Sequence, residues 1–474
     1  MATTYKTPGV YIEEIPKFPP SVAPVATAIP AFIGYTEKED LKLKPTRIES
    51  LVEFEQLFGL PQLETEIVVT ITETTGTAPS SLLTAALDET KRSKHTLYYA
   101  MQLFYANGGG SCFIVSVGKY KAMGTPLSLA DLQAALEPLS KVDEPTLIVI
   151  PEATSLPATT AGIADFKTLH DAALKQCKDL GDRFVIMDVH GKDKPLSDST
   201  TKLMDAVKNF RDDGIGLNNL NYGATYAPFL QTVLDFKFDK TKIVVKRTTD
   251  GVAAADKKLS DIEGTDNQLY ERAKAAIADL PLIMPPSAAM AGIYAAVDAD
   301  RGVWKAPANV SVSAVMKPTI EFSNTQQDDM NVDTTAGKSV NAIRPFVGKG
   351  TLVWGARTLA GNDNEWRYIN VRRFFIFVEE SVKKATEQFT FEPNDANTWV
   401  KVQGMIENFL TTQWRAGALQ GIKPEHAFYV AVGLGKTMTP LDILEGRMIV
   451  EIGLAAVRPA EFIILRFSHK MAES

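Results

Sequence analysis

Cysteine and long apolar runs are scarce in this sequence, and each scarcity excludes a class of protein. The 474 residues include two cysteines, Cys112 and Cys177, too few for a disulfide framework or a cysteine-rich metal site. No apolar run approaches the ~20 residues that a membrane-spanning helix needs, so we expect no membrane insertion. The first residues lack the basic and apolar regions of a signal peptide, which predicts folding in a cytoplasm.

An excess of basic charge is also missing. The chain has 50 Lys+Arg against 57 Asp+Glu, a formal net charge of −7, which argues against direct nucleic-acid binding through phosphate groups. The balance is uneven, because residues 340–474 hold 16 basic and 14 acidic side chains whereas the remainder holds 34 and 43. We therefore expect a mildly basic C-terminal part attached to an acidic body.

The pattern from residue 26 to about residue 340 alternates short apolar strands with longer helices. Strands such as Phe32 to Tyr35 and Phe184 to Val189 are separated by helical segments, which predicts an α/β domain with a mostly parallel sheet covered on both faces. The Thr- and Ser-rich stretch at 60–95 is interpreted as a loop insertion with one β-like piece, Ile67 to Ile71. No internal repeat is present.

The pattern changes after residue 340 and predicts a second, α+β domain over 341–456. Two long amphipathic helices stand out, one with the apolar stripe of Phe374 and Val378, the other from Trp399 to Trp414 with Asn394 or Asn397 as its N-cap. A third helix start is indicated by Thr439-Pro440-Leu441-Asp442, which has the residues of a capping box with proline in the first turn.

Each end of the chain carries a strand-like run without an obvious local partner. Residues 1–25 form a predicted N-terminal arm in which prolines flank the run, and residues 457–474 form a C-terminal arm after Arg458-Pro459. A single short strand is not stable alone in water, so each run is expected to pair with a distant strand or another molecule. The residues expected to pair are Val10, Tyr11, Ile12, Glu13, Ile15, Phe462, Ile463, Ile464, Leu465 and Phe467.

Two glycine–lysine pairs suggest phosphate loops and fail on spacing. They are Gly337-Lys338-Ser339 and Gly435-Lys436-Thr437. The motif needs a glycine five residues before its second glycine, and Val332 and Val430 stand there. A turn after a strand is the simpler interpretation of both.

Hydrolase and metal chemistry find little support. Asp188 and His190 follow a predicted strand, where α/β enzymes often place catalytic groups, but the chain has no Gly-x-Ser-x-Gly elbow to supply a nucleophile. His170, Asp171 and Cys177 lack the spacing of a metal cluster. We expect no enzyme activity, no metal and no cofactor.

Several ordered blocks carry a resemblance that covers nearly the whole chain. They begin with Tyr5-Lys6-Thr7-Pro8-Gly9-Val10-Tyr11-Ile12-Glu13-Glu14 and continue through Tyr222-Gly223-Ala224-Thr225-Tyr226-Ala227-Pro228, Asp300-Arg301-Gly302-Val303-Trp304-Lys305-Ala306-Pro307, Gly350-Thr351-Leu352-Val353-Trp354-Gly355-Ala356-Arg357-Thr358-Leu359 and Arg458-Pro459-Ala460-Glu461-Phe462-Ile463. In these blocks the sequence resembles contractile tail sheath proteins. Its final blocks, which include Gly433 to Met438 and Phe467 to Lys470, are more similar to sheaths of extracellular contractile injection systems than to phage sheaths. Coverage is weakest at 60–95 and 230–275, where we expect outer loops.

The resemblance implies an outer, subtilisin-like domain without catalytic residues and an inner domain that lies against a rigid tube. It further implies stacked hexameric rings, terminal arms that add strands to neighbouring subunits, and baseplate and terminal cap proteins as partners. Assembly in the bacterial cytoplasm, as part of a phage tail-like particle that can be released, follows from the same resemblance. The Arg458-to-Glu461 corner and the two arms would carry the lattice linkage.

A solvated helix face and electrostatic docking to an acidic tube are two open interpretations of the basic residues near the C-terminus. The tube-facing candidates are Lys401, Arg415, Arg372, Arg373, Lys383 and Lys384. Competing hypotheses for the whole protein are a non-contractile coat or baseplate component and a subtilisin-like hydrolase.

Overall fold

The computed structural model describes residues 21–76, 79–88, 90–158, 163–191 and 200–466. Predicted arm residues Val10, Tyr11, Ile12, Glu13, Ile15 and Phe467 lie outside these ranges. The strands are Pro30–Thr36 (β1), Thr46–Ile48 (β2), Ile67–Thr74 (β3), Ser80–Leu87 (β4), Cys112–Lys119 (β5), Leu147–Val149 (β6), Phe184–Asp188 (β7), Gly223–Ala227 (β8), Leu230–Thr232 (β9), Val244–Thr249 (β10), Val252–Ala253 (β11), Lys257–Lys258 (β12), Ile283–Met284 (β13), Val310–Ser311 (β14), Val315–Pro318 (β15), Asn341–Phe346 (β16), Gly350–Val353 (β17), Phe428–Val432 (β18) and Val450–Leu454 (β19).

The α-helices of the described residues connect or flank these strands. They are Leu51–Phe58 (α1), Leu97–Ala106 (α2), Leu129–Ala134 (α3), Leu136–Ser140 (α4), Ala164–Leu180 (α5), Thr200–Asn209 (α6), Leu259–Ile262 (α7), Asn267–Ala278 (α8), Ser287–Arg301 (α9), Asn324–Asn331 (α10), Ile369–Thr386 (α11), Ala396–Arg415 (α12), Pro424–Ala427 (α13) and Pro440–Leu444 (α14).

A nine-stranded sheet forms the centre of the fold, with the order β14-β17-β16-β8-β7-β6-β1-β5-β2. The six strands from β16 to β5 are parallel, and antiparallel strands close both sides. Strands β1, β6, β7 and β8 are buried along their whole length, as expected for strands covered on both faces. The predicted mixed α/β fold with a mostly parallel sheet is confirmed.

The segment at 60–95 is an ordered part of a second sheet, and its prediction as a loop insertion is wrong. Strands β3 and β4 form an antiparallel hairpin, and β3 pairs in parallel with β10, in which the partner of Val68 is Val244, 176 residues further along the chain. Helices α7 and α8 contribute to a separate core with this sheet, which includes Ile67, Val69, Val245 and Ile277. The two stretches expected as outer loops therefore build one small α/β subdomain together.

Two units divide the chain, at boundaries that differ from the predicted ones. The small unit contains residues 21–24 and Ser381–Val457, and the large unit contains Val25–Glu380 and residues 458–466. The predicted boundary at 340/341 is wrong because β16 and β17 complete the nine-stranded sheet. The true boundary falls within α11, where a continuous helix hides the change from the sequence.

With the boundary in this position, the prediction of a mildly basic C-terminal unit is wrong. Residues 381–457 hold seven Lys+Arg and eight Asp+Glu, because most arginines of the 340–474 stretch belong to the large unit. The small unit is therefore close to neutral.

The small unit is built from α12 packed on the antiparallel pair β18–β19. Buried Val402, Ile406 and Phe409 of α12 contribute to its interior, as do Val430 and Val432 of β18. The N-cap of α12 is Asp395, whose carboxylate accepts from the Thr398 N–H at 3.0 Å, and neither predicted asparagine. The predicted capping box at Thr439 and Asp442 is confirmed and starts α14.

Candidate functional site

Asp188 and His190 lie at the carboxyl end of β7, as predicted, but both are committed to structural contacts. Asp188 Oδ1 accepts from the Ser287 N–H at 2.7 Å, at the start of α9, and His190 Nε2 lies 2.9 Å from the carbonyl oxygen of Leu156. Burial raises the pKa of Asp188 to about 7, because the charged carboxylate is removed from water. Asp188 therefore holds the start of α9 at the end of β7, and His190 holds the loop at Leu156 there.

A second histidine–carboxylate pair escaped sequence inspection. Buried Glu152 accepts from the Tyr35 and Thr96 N–H groups at 3.0 and 3.1 Å, and its Oε1 lies 3.6 Å from His95 Nδ1. His95 Nε2 accepts from the Lys121 N–H at 2.9 Å, so this nitrogen is occupied and cannot activate a nucleophile. The pairing residues are 57 positions apart, and no motif links them.

Both glycine–lysine pairs are structural turns. Lys338 is buried, and its ammonium donates to the carbonyl oxygens of Ile215, at 2.8 Å, and Arg211. Thr437 donates through its hydroxyl to the Ile449 carbonyl at 2.7 Å. Among the described residues, no group of three or more His, Cys, Asp or Glu side chains is placed to hold a metal ion. The described helices also include none that is long and apolar enough to cross a membrane.

Two of the six predicted tube-facing residues, Arg372 and Arg373, are buried in the large unit, so their assignment to an exposed surface is wrong. Each is 4% exposed. Arg373 forms a two-pronged ion pair with Asp298, with N–O distances of 3.0 and 2.5 Å, stacks over Tyr294 and donates to the Thr27 carbonyl at 2.8 Å. These contacts anchor the root of the N-terminal arm to α11.

The other four candidates belong to the small unit and are exposed. Lys383 and Lys384 lie in the last turn of α11, and Lys401 and Arg415 lie on α12. All four are exposed cations on a unit that is nearly neutral overall.

The two-stranded sheet of the small unit exposes one face to solvent. Tyr429 is 54% exposed, and its ring covers Gly453 on the facing strand so closely that a Cβ there would lie 2.1 Å from the ring. The Tyr429 hydroxyl donates to Glu451 at 2.6 Å. Within the described residues, the outer edges of β18 and β19 add no further strand, so both leave backbone groups unpaired in the sheet direction.

The C-terminal segment is anchored at its root and exposed beyond it. Glu461 binds Arg357, and Phe462, Ile463, Ile464 and Leu465 are 69–78% exposed. Residues 461–466 form no strand within the single chain, and the pairing of this segment with another molecule stays a prediction.

The candidate catalytic side chains Asp188, His190 and His95 make internal hydrogen bonds, and an apolar terminal segment is left in solvent. An exposed apolar segment of this kind is typical of structural, assembly-forming proteins.

Comparison with known proteins identifies the family. The family model for the phage tail sheath C-terminal domain matches residues 361–470. The sheath complex of an extracellular contractile injection system, PVC, in its contracted state is 28% identical, with a TM-score of 0.63 over 99% of both chains. The contracted helical sheath of the anti-feeding prophage is 30% identical, with a TM-score of 0.62 over 98% of this chain and 100% of that one. The chain therefore belongs to the family of contractile tail sheath proteins.

Similarity to the curated phage proteins is more local. The tail sheath protein of Burkholderia phage BcepMu is 29% identical over 144 residues, which is 29% of this chain and 30% of the phage protein. The chain thus spans less than a third of the length of that relative.

Proposed function

We propose that the chain is a structural sheath subunit that polymerises as stacked hexameric rings around an inner tube. Contraction of this lattice drives the tube through a target envelope. The observation that carries the proposal is that one chain offers both an apolar segment and sheet edges that are suited to strand addition. It has an exposed apolar segment, Phe462 to Leu465, and a two-stranded sheet with two outer edges.

Strand addition is the physical basis of the junction. An added strand pairs its main chain with a sheet edge and places alternate side chains on each face, which removes apolar surface from water. The two terminal arms match in number the two outer edges of this two-stranded sheet, so a lattice can pair both of them. Since such pairing leaves subunits linked while they reorient, contraction is a rigid-body rearrangement that uses energy stored at assembly.

The large unit serves as a non-enzymatic, subtilisin-like outer domain in this proposal. Its parallel sheet and helices on both faces support that assignment, as do Asp188, His190 and His95, each of which makes an internal hydrogen bond. Baseplate and cap proteins would cover the terminal rings, and assembly would take place in the bacterial cytoplasm before any release of the particle.

Electron microscopy of the purified chain tests the assembly. We expect tubes or stacked rings for the wild type and monomers for Ile464→Asp, because a buried carboxylate opposes strand addition. Val347→Asp is the matched control, since Val347 is a fully exposed apolar residue in the turn between β16 and β17. Deletion of residues 1–16 should also prevent tubes. Monodisperse wild-type monomers under all assembly conditions would contradict the proposal.

Tube binding requires a separate test. Lys401→Glu with Arg415→Glu should prevent the sheath from polymerising on its tube, whereas Lys317→Glu on the large unit should not. Unchanged assembly of the double variant on tube would remove α12 as the tube-binding element.

A further inference from the structure

The root of the C-terminal arm is held by one side chain with four hydrogen bonds. Glu461 accepts from Arg357 Nε at 2.8 Å and Nη2 at 2.7 Å, from Asn331 Nδ2 at 2.8 Å and from the Tyr368 hydroxyl at 3.0 Å. The Arg357 side chain is 4% exposed and that of Glu461 19%. A two-pronged Arg–carboxylate pair fixes direction as well as distance, so the segment leaves the large unit at a defined point.

Burial and charge act in opposite directions on this carboxyl. Burial alone would raise the pKa of Glu461, but the hydrogen bonds from Arg357 and Asn331 and the charge of Arg357 outweigh it, and the pKa lies below its usual value. Glu461 therefore stays charged at neutral pH, which keeps the pair intact.

Arg357 continues the connection into the central sheet through its backbone. Its N–H donates to Asn341 Oδ1 at 2.8 Å, and Asn341 Nδ2 donates back to the Arg357 carbonyl at 2.8 Å. The same amide nitrogen donates to the Thr225 carbonyl of β8 at 3.1 Å. The backbone at Gly355, two residues before Arg357, approaches Asn341 so closely that a Cβ at Gly355 would lie 3.0 Å from the Asn341 Cα.

These contacts form a continuous path from the arm to the middle of the nine-stranded sheet. It runs from Glu461 to Arg357, then to fully buried Asn341 of β16 and to Thr225 of β8. Beyond Glu461, the next four residues are exposed and apolar. Pro459, two residues before Glu461, restricts the backbone on the other side.

We infer that the Arg357–Glu461 pair is the clamp through which a second copy of this chain, holding residues 462–465, is coupled to the central sheet. The inference rests on the proposed sheath function. The clamp fixes where the apolar segment emerges, so a neighbour receives it with little loss of conformational freedom. The clamp also transmits any force that the neighbour exerts on residues 462–465 to the nine-stranded sheet.

The test compares Glu461 variants, because Arg357 is too buried to replace without disturbing the core. Glu461→Ala removes all four acceptor contacts, and Glu461→Gln keeps the shape but loses the charge. A spin label at Ala460→Cys, an exposed position, reports the mobility of the root. Cys112 and Cys177 are fully buried and should not react with the label. Glu365→Ala, at an exposed carboxylate of the same unit, is the matched control.

We expect the Glu461→Ala label to be mobile in the monomer and the concentration needed for assembly to rise at least tenfold. Glu461→Gln should give a smaller rise, and Glu365→Ala none. Thermal unfolding measured on each monomer separates loss of the clamp from loss of the fold, and Glu461→Gln decides the case if Glu461→Ala does not fold.

Deletion of residues 458–474 separates the failure of the clamp from the failure of the proposed function. If the deletion prevents assembly while both Glu461 variants assemble at the wild-type concentration, the clamp is refuted and the sheath function stands. If the deletion variant assembles like the wild type, the C-terminal linkage and the clamp are both refuted.

Discussion

Individual buried charges in the large unit carry more of the architecture than their sequence context indicates. Arg373 is buried with Asp298, and the pair joins α11 to α9. Replacing Asp298 with Ala leaves the guanidinium buried without its partner, so we expect the free energy of unfolding to fall by about 3–5 kcal/mol. Thermal or urea unfolding of the monomer measures this. Lys317→Met, at an exposed site of the same unit, should change it by less than about 0.5 kcal/mol.

The buried carboxyl of Asp188 predicts a distinct pH dependence. Because burial raises its pKa to about 7, the folded state holds this proton more tightly than the unfolded state between about pH 4 and pH 7. Its contribution to stability is therefore fully present below about pH 4, falls by about 1.4 kcal/mol per pH unit between about pH 4 and pH 7, and is lost above pH 7.

Asp188→Asn isolates this effect, since the amide oxygen can still accept from the Ser287 N–H. The difference in stability between wild type and variant should change across pH 4–7 and level off above it. Asp279→Asn, at an exposed site, should show no such change. A constant difference for Asp188→Asn would contradict the prediction.

At the scale of elements, the two-stranded sheet of the small unit depends on one glycine. Tyr429 lies over Gly453, as aromatic residues do over glycines in exposed sheets. Gly453→Ala should displace the ring, break its hydrogen bond to Glu451 and cost about 1 kcal/mol. The same substitution in a Tyr429→Ala background should cost little or nothing. Urea unfolding of the four proteins gives the coupling, and equal costs in both backgrounds would show that the ring is not responsible.

Elements with local signals were predictable, and those with distant partners were not. The buried strands β1, β5 and β7 follow from continuous apolar runs. Strand β4 reads Ser-Ser-Leu-Leu-Thr-Ala-Ala-Leu, a weak strand pattern, and its sheet is completed by β10 far along the chain. Arg372 and Arg373 resembled a solvated face for the same reason, since Asp298 and Tyr222 lie 75 and 150 residues away.

The C-terminal segment was likewise predictable where its signal is local and not where it depends on distant residues. The exposed apolar run at Phe462 to Leu465 is visible in the sequence, because composition alone marks it. The clamp at its root is not, since Arg357, Asn331 and Tyr368 meet Glu461 across 93 to 130 residues. The charge of the small unit was also misjudged, because the unit begins within a helix that the sequence shows as continuous.

At the scale of the whole molecule, the two units differ in how much of their stability the single chain can supply. The large unit surrounds a nine-stranded sheet, whereas residues 381–457 contain only a two-stranded sheet and expose Phe391, Ile422, Leu434, Leu441 and Leu444. A two-stranded sheet is marginal by itself, and binding to the folded form stabilises it by mass action. The small unit is therefore expected to reach full stability only in the assembly.

Hydrogen exchange measured by mass spectrometry tests this expectation. In the monomer, amides of β18 and β19 should exchange at least a hundredfold faster than those of β6 and β7, because local opening of the small unit costs less than unfolding the central sheet. Assembly should slow β18 and β19 strongly and leave β6 and β7 nearly unchanged. The Ile464→Asp variant, kept monomeric under assembly conditions, is the control and should retain fast exchange in β18 and β19. Equal protection of both sheets in the wild-type monomer would mean that the small unit is already complete, and neighbouring subunits would then add linkage but no stability.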